Sequence, residues 1–536
     1  MKVNDNMKKI KKYFLFISIF LLIVYIIPNF ILDLQLISLF SEGLDDKGII
    51  GNIRLFLFQF RSVLSFLFTL YTISIAIIIF IENRDPQKTI TWLLVLFISP
   101  VIGFILYLFL GQNLRKRNIF KKEENIRSKS LKDIAKVQIK AVKESDIFYE
   151  KKDFLKRKLI SLILNNSKSP VTVNNRSKIL TNGDQKFKEV KKDLLNARHH
   201  IHLEYFIIKK GGIGDEIKDI LIKKAKEGLE VRVIYDSVGS WRLGRKYIEE
   251  LKQAGVNIVG YLPVLVPGLS RQLNYRNHRK IIVVDGKIGF TGGINIGDEY
   301  LGKDERLGFW RDSHIKIEGE AVYELQNIFI NDWYFCTKEN LDDLKYFPKL
   351  EHYGEQLIQI ASSGPDSEWE SIMQSYFSLI SYATDRVWIT TPYLIPSDSV
   401  IVALKTAALS GVDVRIIIPN IADHIIAFWG SRSYVEELLK AGVKIYCYTK
   451  GFVHAKSMVV DDIVASVGTA NLDNRSFHIN FEVNAFIYDK TIAKRIEKDF
   501  LNDFNHCEEI IYEEYKNRPT TQKLKESIGK LLSPIL

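Results

Sequence analysis

Two stretches of this 536-residue chain carry the same chemistry-bearing spacing. One runs His278, Lys280, Asp285, Gly292 and Asn295; the other runs His454, Lys456, Asp461, Gly468 and Asn471, with all five positions displaced by one common interval. A single H-x-K-x-x-x-x-D string arises by chance, whereas two copies in register point to a duplicated fold. On a strand, positions i and i+2 face the same way, so the imidazole and ammonium of each copy can reach one bound group. That pair suits a phosphate. The glycines allow a tight following turn, and Asn295 and Asn471 can donate amide hydrogens to phosphate oxygens. Two histidines and two lysines are enough to clamp a phosphodiester and to divide nucleophile from general acid. No metal or other cofactor is needed, and the spacing of zinc ligands is absent. Cys336, Cys447 and Cys507 lack C-x-x-C spacing, which excludes a disulfide framework or a zinc ribbon.

The motif carboxylates are the ambiguous members. A strand of about five residues carries Asp285 and Asp461 some 16 Å from the lysines, which favours a structural role over a place at the reacting centre. Glu482, in the run NFE, is a better candidate to orient an imidazole, and Asp312 is its first-half candidate. His199, His200 and His202 read as a paired surface or strand-edge cluster. His314 reads equally as catalytic support or as a satisfied, half-buried histidine. Tyr205, Phe206, Tyr393 and Trp388 read as packing.

The elements that must position these residues also repeat. The run GLEVRVI from Gly228 matches GVDVRII from Gly411, and QAGVNI from Gln253 matches KAGVKI from Lys440. Short apolar runs at 200–208, 231–235, 387–395 and 414–418 alternate with helix-like segments at 215–228 and 399–410. Strands alternating with helices imply βαβ units, a mixed or parallel sheet and two pseudo-symmetric α/β halves.

Ahead of those halves the chain is apolar. Segments 13–32, 62–81 and 90–110 lack charge and have the length of a membrane helix. The first, preceded by Lys8, Lys9, Lys11 and Lys12, also resembles a signal sequence but lacks a clear small-residue cleavage site; retention as an anchor is favoured. Three crossings would leave the rest of the chain outside. The cluster Arg115, Lys116, Arg117, Lys121 and Lys122 argues instead for a hairpin and a cytoplasmic catalytic part. The expected organisation is therefore a membrane anchor (1–112), a basic juxtamembrane linker (113–165), two halves (166–350 and 351–516) and an amphipathic tail (517–536) that lies either on the membrane or on the catalytic part. The net charge of +12 fits an anionic partner, although a Lys-rich composition alone accounts for it equally well.

The duplicated H-K-D motif resembles the phospholipase D superfamily, and longer runs resemble its bacterial cardiolipin synthase family. These are NRDPQKTITWLLVLFISPVIGFILYLFLG from Asn83, LNYRNHRKIIVVDGKIGFTGGINIGDEYLG from Leu273, WRDSHIKIEGEAV from Trp310, TPYLIPSD from Thr391 and NRSFHINFE from Asn474. The resemblance implies condensation of two phosphatidylglycerol molecules into cardiolipin and glycerol at a cell membrane, without nucleic acid. It implies His278 and His454 as the catalytic pair, with His278 as nucleophile and His454 as acid and base, and Lys280, Lys456, Asn295 and Asn471 as phosphate ligands. Position 320 is Glu where the resemblance leads one to expect Pro. The rival readings are a hydrolytic phospholipase D, another phosphatidyltransferase or a nuclease of the superfamily, and a non-catalytic membrane scaffold. Oligomeric state is left open.

Overall fold

The computed structural model describes residues 69–70, 72–77, 79–80, 86–99, 103, 107, 151–263, 274–341 and 343–533. The chain divides into two compact units, Met1–Arg115 and Lys116–Leu536. In the first unit, the helix Pro86–Ile98 contributes Leu96 to a buried cluster with Ile75, Ile79 and Tyr107. At 13 residues it is about 20 Å long. Among the described residues no helix is long and apolar enough to cross a membrane. The expected segment 13–32 and the basic cluster at 115–122 lie outside the described residues, and segments 62–81 and 90–110 are described only in part.

The second unit holds two mixed α/β halves. In the first half the strands are β1 (Asn175–Thr181), β2 (His200–Tyr205), β3 (Glu230–Asp236), β4 (Asn257–Tyr261), β5 (Lys280–Val284), β6 (Ile288–Gly292), β7 (Phe309–Arg311) and β8 (Ser313–Gly319). In the second they are β9 (Ile358–Ser363), β10 (Arg386–Thr390), β11 (Leu394–Ile395), β12 (Asp413–Pro419), β13 (Lys444–Tyr448), β14 (Gly451–Val453), β15 (Ser457–Val460), β16 (Val464–Gly468), β17 (Leu472–Asp473), β18 (Glu482–Ile487) and β19 (Cys507–Glu509). The first sheet has the order β1-β8-β6-β5-β2-β3-β4, and the second β9-β18-β16-β15-β10-β12-β13-β19. The orders correspond strand for strand, with β19 as an addition. In each sheet one stretch is parallel (β2-β3-β4, β10-β12-β13) and the rest antiparallel.

The strand that follows each motif lysine reads as an unbroken apolar run because both of its faces are covered. Ile282 and Val284 join the core beneath the first half's helices, while Ile281 and Val283 join a core shared with Val459, Ala465, Val467 and Val483 of the second half. Met458 and Val460 likewise turn to the second half's own core. The helices Ala321–Thr337 and Lys490–Phe504 lend Val322, Leu325, Ile492 and Ile496 to the shared layer. Residues Lys151–Asn166, expected within the linker, form a helix whose Leu155, Leu159, Ile163 and Leu164 are buried with Ile372, Tyr376 and Leu379. That stretch is part of the second half's core. Glu320 receives the Val173 and Asn174 N–H groups at 3.2 and 3.3 Å, a contact that proline could not make.

Candidate active site

The residue before each motif histidine is paired across the halves. Asn277 bridges to Phe481 in parallel register, and β14 lies parallel to β7. His278 N donates to Phe481 O at 3.0 Å, and His454 N donates to Arg311 O at 2.7 Å. Each histidine therefore hangs from its own half but is positioned by the strand entry of the other. Both stand just ahead of a strand, not within it, since β5 begins at Lys280 and β15 at Ser457.

The carboxylates follow from this crossing. Glu482 of the second half lies 2.9 and 3.0 Å from His278 Nδ1, and Asp312 of the first half lies 2.8 Å from His454 Nδ1. The two acids occupy equivalent places, each two residues before the partner of a motif glycine: Gly292 faces His314, and Gly468 faces Asn484. Both are fully buried and held by further donors. Thr469 Oγ1 donates to Glu482 at 2.5 Å; Trp310 Nε1 and Ser313 N donate to Asp312 at 3.3 and 2.7 Å. Burial alone would raise the Glu482 carboxyl pKa, but His278, Lys280 and Thr469 outweigh it and hold the group below its ordinary range. Lys456 and His454 do the same for Asp312.

Burial, with Lys280 and Lys456 adding to it, lowers the His278 imidazole despite Glu482. It brings His454 down to about 4 despite Asp312, with Lys456 and Lys280 adding to the drop. Two neutral rings whose Nδ1–H groups donate to carboxylates each keep a lone pair on Nε2. Burial, with repulsion from Lys456, also brings Lys280 to about 7, and burial brings Lys456 to about 8, in both cases against the pull of Glu482 and Asp312. The surroundings of the rings differ. Each lysine donates to its own histidine's carbonyl, Lys280 to His278 O at 2.8 Å and Lys456 to His454 O at 2.5 Å, but among the described residues no hydrogen bond reaches His278 Nε2. Lys456 Nζ stands 2.8 Å from His454 Nδ1 and 3.0 Å from its Nε2.

Asp285 and Asp461, grouped with the catalytic residues on sequence, sit at the far ends of β5 and β15 in the left-handed region, at φ 54° and 52°. Asp285 accepts the N–H groups of Arg198, His199 and His200; Asp461 accepts those of Thr384, Asp385 and Arg386. They brace the entries to β2 and β10 and contact neither histidine. Asn295 and Asn471 flank the site, yet each already donates within the fold, to Tyr300 Oη and Asp473 at 2.9 Å apiece. The expected strand-edge cluster is corrected: β2 is central, and His200 and His202 are fully buried on Gln326 of the helix Ala321–Thr337. His314 is also fully buried, with no partner for either ring nitrogen among the described residues. Phe206, read as packing, meets the His278 ring edge to face with 4.9 Å between ring centroids, and Trp310 and Phe452 wall His454 at centroid separations of 5.0 and 6.0 Å. Thr469, which carries no motif role in the sequence, stands inside the G-x-x-N string and reaches Glu482.

A family model described as cardiolipin synthase, PLD-like domain, matches residues 190–333 and 376–504, and one described as phospholipase D-nuclease N-terminal matches 69–112. The cardiolipin synthase of Geobacillus sp. (strain WCH70) is 47% identical over 475 residues, covering 88% of this chain and 94% of the relative. The major cardiolipin synthase ClsA of Bacillus subtilis (strain 168) is 44% identical over 479 residues, covering 89% and 99%. Among solved structures, the phosphatidylserine synthase of Haemophilus influenzae Rd KW20 matches with a TM-score of 0.55 at 17% identity over 70% of this chain and 99% of that one, a likeness of fold.

Proposed function

This chain belongs to the cardiolipin synthase family of the phospholipase D superfamily, and from that premise we propose that its crossed histidine–carboxylate pairs move a phosphatidyl group between two phosphatidylglycerol molecules, giving cardiolipin and glycerol. The activity is phosphatidyl transfer. The observation that carries the mechanism is that His278 and His454 are each held by a carboxylate of the opposite half, with the charges of Lys280 and Lys456 acting on both rings.

In the first step His278 Nε2 attacks phosphorus, the bond to the glycerol oxygen breaks, and His454 gives that oxygen a proton. In the second, His454 takes the proton of the incoming lipid hydroxyl, whose oxygen attacks phosphorus and releases His278. The open Nε2 of His278 supports the nucleophile's role, and the ammonium that lies within 3.0 Å of both His454 ring nitrogens supports proton exchange at that ring. An imidazole depressed to about 4 needs help to act as an acid. The phosphodiester anion supplies it by offsetting the two lysine charges. Lys280 and Lys456 stabilise the charge that develops on the phosphoryl oxygens. Asn295 and Asn471 each keep a second amide hydrogen for the same purpose.

We place residues 1–112 as a membrane anchor that crosses as a hairpin, with the catalytic part on the cytoplasmic side, a reading supported by the charge-free runs and the basic cluster after them. The test of function is purified protein in detergent micelles with labelled phosphatidylglycerol. Cardiolipin with free glycerol is the expected product; phosphatidic acid alone would make the enzyme a hydrolase.

A further inference from the structure

The C-terminal helix Thr520–Leu532 has two faces with different fates. Its inner face packs on the helix Ile425–Arg432 so closely that a Cβ on Gly529 would stand 2.5 Å from Gly430 N. Glu526, buried on the same face, accepts from Arg518 Nε at 2.8 Å, and Tyr434 Oη donates to Ser533 Oγ at 3.0 Å. The helix is thus fixed to the catalytic unit.

The outer face is apolar and uncovered among the described residues. At about 100° per residue, Leu524, Ile528 and Leu531 fall within a sector of about 60°, opposite Glu526 and Gly529. They are 61%, 53% and 74% exposed, and Ile425 on the adjoining helix is 70% exposed. Lys525 lies about 100° to one side of Leu524, its Nζ 5.1 Å over the Trp429 ring, with Lys523 and Lys530 about 100–120° to the other, where Lys530 Nζ is 3.9 Å from Glu437. Single exposed aliphatics are ordinary, but four on two packed helices mark an interaction surface. Lysine is depleted at protein–protein interfaces. An apolar stripe edged on both sides by lysines instead suits the boundary of an anionic bilayer, where the stems lie in the acyl region and the ammonium groups meet phosphates.

We propose that this face docks the catalytic unit onto an anionic lipid bilayer, an inference that rests on the reading of the chain as an enzyme of anionic phospholipids. The inner side of the helix Ile425–Arg432 places Phe428 and Arg432 in a cavity wall with Tyr393 and Phe452, and Phe452 is the ring beside His454. One helix therefore joins the lipid surface to the wall of the histidine site.

The experiment uses the full chain reconstituted in phosphatidylglycerol vesicles, with Cys336 and Cys507 replaced by Ser and the buried Cys447 retained. An environment-sensitive dye is attached at Leu524→Cys, Ile528→Cys or Leu531→Cys, with Lys252→Cys, on an exposed position of the first half, as control. Spin-labelled lipid should quench the three tail positions several-fold more than the control, and less in neutral phosphatidylcholine vesicles. In addition, Ile528→Asp should raise the KM for phosphatidylglycerol in vesicles about tenfold while leaving turnover in micelles unchanged. Quenching at the tail positions no stronger than at the control, in protein that forms cardiolipin, overturns the proposal. A tail dye shielded from aqueous iodide yet not quenched by spin-labelled lipid also overturns it, since another segment or a second copy then covers the face. Strong tail quenching in protein that forms no cardiolipin sustains the surface and sinks the proposed function instead.

Discussion

At the scale of single residues, the site keeps its imidazoles neutral and its carboxylates ionised, which sets the tautomers before substrate arrives. Glu482→Gln and Asp312→Asn preserve shape but remove the charge that holds each tautomer, so kcat should fall by about 10²–10⁴-fold in each. Because Glu482 acts through His278, adding Glu482→Gln to His278→Ala should cost almost nothing more, and steady-state rates of the two single variants and the double variant check this. The lysines give a second test. With ammonium groups brought to about 7 and 8, the empty site has largely lost their charge by pH 9. A bound phosphodiester favours the charged forms and raises both values. Binding of an unreactive phosphodiester at pH 8 to 9 should therefore take up protons and weaken as pH rises, measured by calorimetry in buffers of different ionisation heat. Proton release would refute this account of the lysines. Activity should also survive exhaustive chelation, since the two ammonium groups supply the charge that a divalent ion would otherwise bring.

At the scale of elements, the motif divides into a working end and a bracing end. β5 and β15 separate the lysines from Asp285 and Asp461, and each aspartate collects three backbone N–H groups from the chain entering β2 or β10. Asp285→Ala should lower stability by about 2–4 kcal/mol through those unmet donors, while the folded fraction keeps a near-normal KM. Thermal unfolding set beside active-site titration separates the two effects. The motif glycines have a related role: a Cβ on Gly468 would stand 2.1 Å from Asn484 Oδ1, at the turn from β16 into the loop bearing Thr469 and Asn471. Gly468→Ala should thus disturb both the β16–β18 pairing and the Thr469 contact to Glu482.

At the scale of the whole molecule, neither half holds a complete histidine site. Arg311, ahead of Asp312, donates through Nε to both Asp503 oxygens at 2.8 Å, a buried tie from the first half to the second half's helix Lys490–Phe504. Losing that helix should therefore disturb His454 through Asp312. The membrane reading belongs to this scale too. Cysteines placed singly at 124–150 should resist an impermeant thiol reagent in intact cells if the catalytic part is cytoplasmic, and ready labelling would reverse the orientation.

The duplication, the two histidines and two lysines, and the mixed α/β halves are all legible in the chain alone. Those features are written in short local strings: H-x-K spacing, apolar runs such as KIIVV, and the paired turns QAGVNI and KAGVKI. The sequence also marked Glu482 and Asp312, but not which histidine each one serves. Only the tertiary structure decided that, because the pairing of Asn277 with Phe481 and of β14 with β7 crosses the halves and brings together side chains far apart in the chain. The same applies to His200 and His202, whose burial depends on a helix that begins at Ala321. It applies as well to Lys151–Asn166, whose basic residues read as a linker until the apolar side of its helix meets Tyr376 and Leu379. Local chemistry follows from neighbours along the chain. Which charge faces which ring follows from contacts made only when distant strands close on one core.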